Sequence, residues 1–156
     1  MIRVFAIFLA LLPAVVGAQS AGISLGTGGF DRAAPVDVTS DSLSLDQDSG
    51  QAVFDGNVLV VQGDLRMSAG RIVVTYGDDG VSELTATGGV TLVTPTEAAE
   101  AREAVYTVAS GAAVLTGDVL LTQGQAAISG DRLVLDLESG TGRMEGNVRT
   151  VLGGTQ

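Results

Sequence analysis

The sequence predicts an all-β protein: an elongated, twisted β-jellyroll built from four antiparallel repeats of about thirty residues. Three observations carry that expectation. A glycine motif returns four times, its flanking arms alternate apolar and polar residues, and turn formers recur between the arms. The motif is clearest in Val53-Phe54-Asp55-Gly56-Asn57-Val58-Leu59-Val60-Val61-Gln62-Gly63 and comes back at residues 84–95, 113–124 and 142–153. Each copy has a glycine (Gly56, Gly88, Gly117, Gly146), then Asn57, Gly89, Asp118 or Asn147, then a valine, with a turn former seven residues after the first glycine. The composition agrees. Twenty-two glycines, 46% hydrophobic and 17% charged residues, and no Cys, His or Trp describe a chain with a core, many turns and no disulfide framework.

Residues 1–18 are set apart as a secretory signal peptide. Arg3 gives the positive start, Val4 to Val16 an apolar run broken by Pro13, and Val16-Gly17-Ala18 a small-residue cleavage pattern ahead of Gln19. The run is short for a spanning helix, so cleavage and export are expected rather than anchoring. Residues 19–34 have no periodic pattern and read as a flexible lead-in. Pro35 opens a short strand in which Val36 and Val38 alternate with polar residues. The domain then runs from 35 to 152, with 153–156 as a tail.

The repeats start at Asp41, Arg71, Arg102 and Asp131, steps of 30, 31 and 29 residues. In each, a first arm leads to a glycine turn (Gly50, Gly80, Gly111, Gly140), and the glycine motif forms the second arm. Alternation places Leu84, Ala86, Val90 and Leu92 on one face of the second copy; the matching sets elsewhere are Phe54, Val58 and Val60, then Leu115, Val119 and Leu121, then Met144 and Val148. First arms contribute Leu43 and Leu45, then Ala104, Tyr106 and Val108, then Leu133, Leu135 and Leu137. Residues 72–76 (IVVTY) leave their inward parity open. Residues 65–69 and 126–129 read as linking strands. The 97–105 stretch, EAAEAREAV, has helical propensity yet is assigned as strand or loop, because a lone helix would interrupt a four-fold β pattern. A glycine kept at one register inside strands implies a bend or bulge, and a column of bends would fold the sheet over on itself.

Chemistry is excluded more than indicated. Without His, Cys or Lys the chain lacks the usual general base, thiolate and imidazole ligand, and no catalytic or metal residues are assigned, nor any cofactor. Asp46-Gln47-Asp48-Ser49-Gly50 resembles a calcium loop only in its first residues and reads as a turn. Removing the leader leaves 7 basic against 18 acidic residues, a formal charge of −11 (7 − 18), which speaks against nucleic acid as a partner. What remains is an apolar inner face. Val36, Val38, Leu45, Phe54, Val58, Val60, Tyr106, Val108, Leu115, Leu121, Leu133 and Leu135 either close a core or line a trough for an apolar ligand.

The stretches PVDVTSDSLSLDQDSGQAVFDGNVLVVQGDLRMSAGRIVV and AVYTVASGAAVLTGDVLLTQGQAAISGDRLV resemble the OstA-like family of periplasmic lipopolysaccharide-transport proteins. Phe54-Asp55-Gly56-Asn57-Val58 with Gln62-Gly63, and Leu115-Thr116-Gly117-Asp118-Val119, are the most specific pieces. The resemblance implies a hydrophobic trough for the acyl chains of lipid A, with no catalytic residues. It also implies head-to-tail homo-oligomers that join inner-membrane and outer-membrane components across the periplasm through edge strands. Those edges would be residues 36–40 and 148–152. Contacts to lipid A phosphates are expected from Arg66, Arg71, Arg102 or Arg132. Two other readings are a structural β-repeat assembly protein with a closed core, and the membrane-anchored sister component of the same pathway.

Overall fold

The computed structural model describes residues 22–24 and 34–153, and among them every regular element is a β-strand. In chain order these are β1 (Gly22–Ser24), β2 (Val36–Thr39), β3 (Ser42–Asp46), β4 (Gln51–Gln62), β5 (Leu65–Gly77), β6 (Gly80–Thr87) and β7 (Val90–Val93). They continue with β8 (Glu97–Ala101), β9 (Glu103–Thr107), β10 (Ala112–Gln123), β11 (Ala126–Asp136), β12 (Thr141–Glu145) and β13 (Arg149–Leu152). All belong to one antiparallel sheet. Four long strands, β4, β5, β10 and β11, run its full width, and the shorter ones lie end to end in pairs beside them. The sheet is therefore two half-sheets sharing four strands. One has the order β3-β4-β5-β6-β9-β10-β11-β12-β1; the other has β2-β4-β5-β7-β8-β10-β11-β13.

The repeated glycine marks the fold line between them. Gly56 and Asn57 have φ of +82° and +46°, and Gly117 and Asp118 of +85° and +47°. Each pair opposes a single residue on the neighbouring strand, because the register steps from Asp55↔Arg71 to Val58↔Ala69 and from Thr116↔Arg132 to Val119↔Gly130. These are β-bulges, which bend a strand and sharpen its twist. Gly88-Gly89 and Gly146-Asn147 are left-handed too and separate β6 from β7 and β12 from β13.

Each bulge meets a residue that opens a repeat. The Asp41 amide donates to the Gly56 carbonyl at 2.8 Å, and the Asp131 amide to that of Gly146 at 2.9 Å, while the Arg102 amide is shared by the Thr116 and Gly117 carbonyls. Side chains repeat the pattern sixteen residues on: Asn57 Nδ2 donates to Asp41 Oδ2, Asn147 Nδ2 to Asp131 Oδ2, and Arg102 pairs with Asp118. A Cβ on Gly117 would sit 2.8 Å from the Arg102 Cβ.

The fold line also settles the parity that residues 72–76 leave open. On β5 the inward residues are Met67 and Ala69 before Gly70 but Ile72 and Val74 after it, so the facing switches by one residue at the corner. The same switch separates Ala99 and Ala101 from Ala104 and Tyr106 across Arg102. It explains why residues 97–105 form two strands in place of a helix: their alanines supply the small inward residues of both half-sheets.

Several expectations take a different form. The linking strands at 65–69 and 126–129 are continuous with the arms that follow them, as β5 and β11. Three residues of the segment read as a flexible lead-in, Gly22–Ser24, form β1 against β12. The signal peptide lies outside the described residues. Val148, assigned to the inner face, is 46% exposed, because the Gly146-Asn147 break leaves β13 at the sheet margin.

The turns are built as their residues suggest. Asp46 Oδ1 accepts from the Asp48 and Ser49 amides, and Asp136 Oδ1 likewise from those of Glu138 and Ser139. These are Asx turns. The Ser49 amide, with smaller help from the Ser49 side chain and the Asp48 amide, holds the Asp46 carboxyl below its ordinary range. With the folded pKa depressed, its stabilisation is present above the unfolded carboxylate range and lost as pH falls through the folded value.

Two predictions follow from this geometry. Gly117→Ala combines left-handed strain with a clash and should lose about 1–3 kcal/mol in urea unfolding, more than Gly124→Ala, where φ is +56° but the space is open. Asp46→Asn should lower the melting temperature at neutral pH and have little effect near pH 2, measured by circular dichroism; an equal loss at both would refute the charge-assisted turn.

Candidate lipid-binding cavity

Folding the sheet along its corner brings two apolar faces together, but not equally along the roll. Toward the C-terminal strands Leu115, Val119, Leu121, Leu133, Leu135 and Met144 interlock into a filled core, with Leu133 fully buried. Toward the N-terminal strands the buried set is smaller in volume, Ala52, Val58, Ala69, Ile72, Val74, Ala86 and Val90, and larger side chains around it are only partly covered. A cavity of about 580 Å³ remains there. That volume lies in the ordinary range of ligand pockets, roughly 300–1,000 Å³.

Both half-sheets contribute to its wall. Val38, Val60, Met67 and Leu92 stand in one inward row of the half-sheet that carries β2, while Phe54, Ile72, Ala86 and Tyr106 come from inward rows of the other. Gln62 is the one lining residue that is neither aliphatic nor aromatic, and its amide donates to the Ala34 carbonyl at 3.1 Å. Such a surface offers dispersion contacts and apolar burial but almost no directed hydrogen bonding.

Of the residues proposed from sequence, Val36, Val38, Phe54, Val60, Tyr106, Val108 and Leu115 line this cavity. Val58, Leu121, Leu133 and Leu135 lie instead in the packed clusters, each nearly inaccessible. Leu45 lies on the outermost strand β3 and is 72% exposed. Sequence reading missed Met67, Ile72 and Val74 on β5 because the parity switch at Gly70 hides the alternation. Leu84, Ala86, Val90 and Leu92, which alternation puts on the inner face, all line the cavity.

The arginines are elsewhere. Arg71 pairs with Asp55 at 3.3 Å, Arg102 with Asp118, and Arg132 and Arg143 with Glu145 at 2.8 and 2.7 Å. Arg71 and Arg132 stand in outward rows, opposite in facing to the inward Ile72 and Leu133 beside them. The Arg132 hydrogen bond, aided by the charge of Arg143, keeps the Glu145 carboxyl below its usual range. Three of the four arginines expected to meet phosphate are thus engaged with acids, and Arg66 is not in any ion pair among the described residues.

A folded-over β-roll with an apolar cavity agrees with the sequence comparison. Residues 37–141, more than half of the chain, match the family described as "LptA/(LptD N-terminal domain) LPS transport protein". The chain belongs to this family. It is a family of transport proteins, not of enzymes. Among curated relatives, the lipopolysaccharide export system protein LptA of Escherichia coli (strain K12) is 32% identical over 116 residues, covering 69% of this chain and 61% of that protein. An uncharacterized protein of Rhizobium meliloti is 25% identical over 121 residues, 71% of this chain and 65% of the relative. The match therefore spans less than two thirds of either relative. The crystal structure of LptH from Pseudomonas aeruginosa, described as the LptA homologous periplasmic component of the lipopolysaccharide transport device, superposes with a TM-score of 0.72. The superposition covers 80% of this chain and 99% of that one; at 20% identity it establishes the shared fold.

The uneven filling has a measurable consequence. Leu133→Ala should cost about 2–5 kcal/mol, because a packed site cannot collapse around the gap. Val38→Ala, beside space that already exists, should cost about 1 kcal/mol or less. Urea denaturation of the two variants checks the difference.

Proposed function

We propose that this chain is a periplasmic lipopolysaccharide carrier that shelters the acyl chains of lipid A in the cavity. The observation that carries this reading is an apolar cavity of about 580 Å³ at one end of the roll, in a member of a lipopolysaccharide-transport family. Burial of hydrocarbon stabilises such a complex by about 0.8 kcal/mol per CH₂, so even a partly inserted chain binds usefully. With a mature charge of −11 and most of the candidate arginines paired, phosphate attraction contributes little, and the acyl chains dominate recognition.

The same reading includes export through a cleaved leader and head-to-tail assembly linking inner-membrane and outer-membrane components. Both ends of the sheet support assembly. Val36, Leu43 and Leu45 are exposed on β2 and β3 at one end, and Val151 and Leu152 on β13 at the other. Outermost strands with unpaired backbone groups and exposed apolar side chains are natural sites of strand addition.

A photo-crosslinking residue placed at Val38 or Tyr106 should capture lipopolysaccharide in cells. The same residue at Thr85, which alternates with the cavity residues Leu84 and Ala86 and so faces outward, should not. Capture at Thr85 alone would refute the interior site.

A further inference from the structure

The two halves of the C-terminal sheet edge are not alike. β13 is outermost in its half-sheet, and all four of its residues are exposed. β12, beside it, is covered by β1, with Gly22 opposite Arg143, Ile23 opposite Gly142 and Ser24 opposite Thr141. At the other end of the roll β2 and β3 are outermost among the described residues, and β3 is exposed along its whole length.

The registers connect these ends. The register row that starts at Leu45 on β3 passes through Leu84 and Leu135, reaches Gly142 on β12 and ends at the backbone of Ile23. From β3 to β1 the sheet takes an even number of antiparallel steps, so the two strands run in the same direction. β1 thus occupies the place, direction and register row that β3 of a following copy would take, and Gly22-Ile23-Ser24 sets an apolar residue between small ones where Ser44-Leu45-Asp46 sets Leu45 between polar ones.

We propose that β1 is an internal stand-in for the next subunit: it caps half of the C-terminal edge, and head-to-tail growth proceeds by strand exchange. An incoming copy first adds β2 to β13, the outermost described strand of its half-sheet, and its β3 then displaces β1 from β12. β1 has three paired residues and β3 five, so the exchange replaces a short strand by a longer one while an apolar residue stays opposite Gly142. A three-residue marginal strand belongs to the least stable part of a sheet, which suits it to leave. The cap also covers exposed edge in the monomer and so opposes indiscriminate edge-to-edge aggregation. The cleavage point expected from the sequence, before Gln19, leaves β1 on the mature chain. This inference rests on the head-to-tail reading above.

The chain has no cysteine, so a single engineered pair can report on β1. Ser24→Cys with Thr141→Cys joins residues that are direct partners across an antiparallel pair, within reach of a disulfide. Sedimentation velocity on the mature protein should show the oxidised form associating at least about tenfold more weakly than the reduced form, since the competent edge is then withheld. Ile23→Asp, which weakens the cap, should associate more tightly than the unmodified protein. Failure of the disulfide to form, or equal association of oxidised and reduced protein, overturns the cap and leaves the stacking reading intact. Absence of self-association in the unmodified, reduced and Ile23→Asp proteins alike removes the stacking reading and the cap with it.

Discussion

A left-handed pair of residues midway through each repeat is the constraint on which this structure depends. An L-residue with a side chain resists positive φ, so the first position of each pair is glycine, and the second is Asn, Asp or Gly, the types that tolerate it best. Four such pairs at one level turn a flat sheet into one folded along a line. The fold is held from the opposite strand, where Asp41, Arg102 and Asp131 lay their side chains against the glycines and bond to the neighbouring Asn or Asp. The bonding chemistry varies from amide–carboxylate to ion pair, while the geometry stays the same. The position demands a hydrogen-bonded bridge across a corner, and more than one pair of side chains can supply it.

The corner determines where apolar volume goes. Because the facing of β5 switches at Gly70, and that of β8 and β9 across Arg102, both half-sheets turn their apolar rows toward each other. Whether the space between them fills then depends on side-chain size. Leucines on β10 and β11 fill it at the C-terminal end. At the other, where the buried set on β4 to β7 is mostly alanine and valine, a cavity remains. Cavity and core are therefore two outcomes of one architecture, graded along the roll by composition. The packed end supplies the rigidity that lets the hollow end remain open without collapse.

The ends of the sheet follow from the repeat as well. A stack of repeats has no internal means of stopping, because its last strand offers the same backbone groups as every strand before it. At the N-terminal end β2 and β3 form the margin among the described residues, with hydrophobic residues exposed on both. At the C-terminal end a remote stretch of the same chain covers one half of the margin and leaves the other half bare.

By itself the sequence determined the all-β class, the four repeats with their boundaries, the turns and the position of the bend. Each of these is written in local chemistry: alternation along a strand, glycine where φ is positive, Asp where an Asx turn closes. It also placed Val38, Phe54, Val60 and Tyr106 on the inner face, since parity within one arm is a local property. Only the tertiary structure decided which inner residues meet open space and which meet one another. Leu133 and Val60 alternate in the same way along their strands, yet one is sealed between neighbouring leucines and the other borders a cavity. That difference depends on the volume of side chains far away in the chain, and on a parity switch at Gly70 that no single strand reveals. The pairing of Gly22–Ser24 with β12 was hidden for the same reason: three residues carry no period of their own, and their strand exists only because an edge was left for them to join.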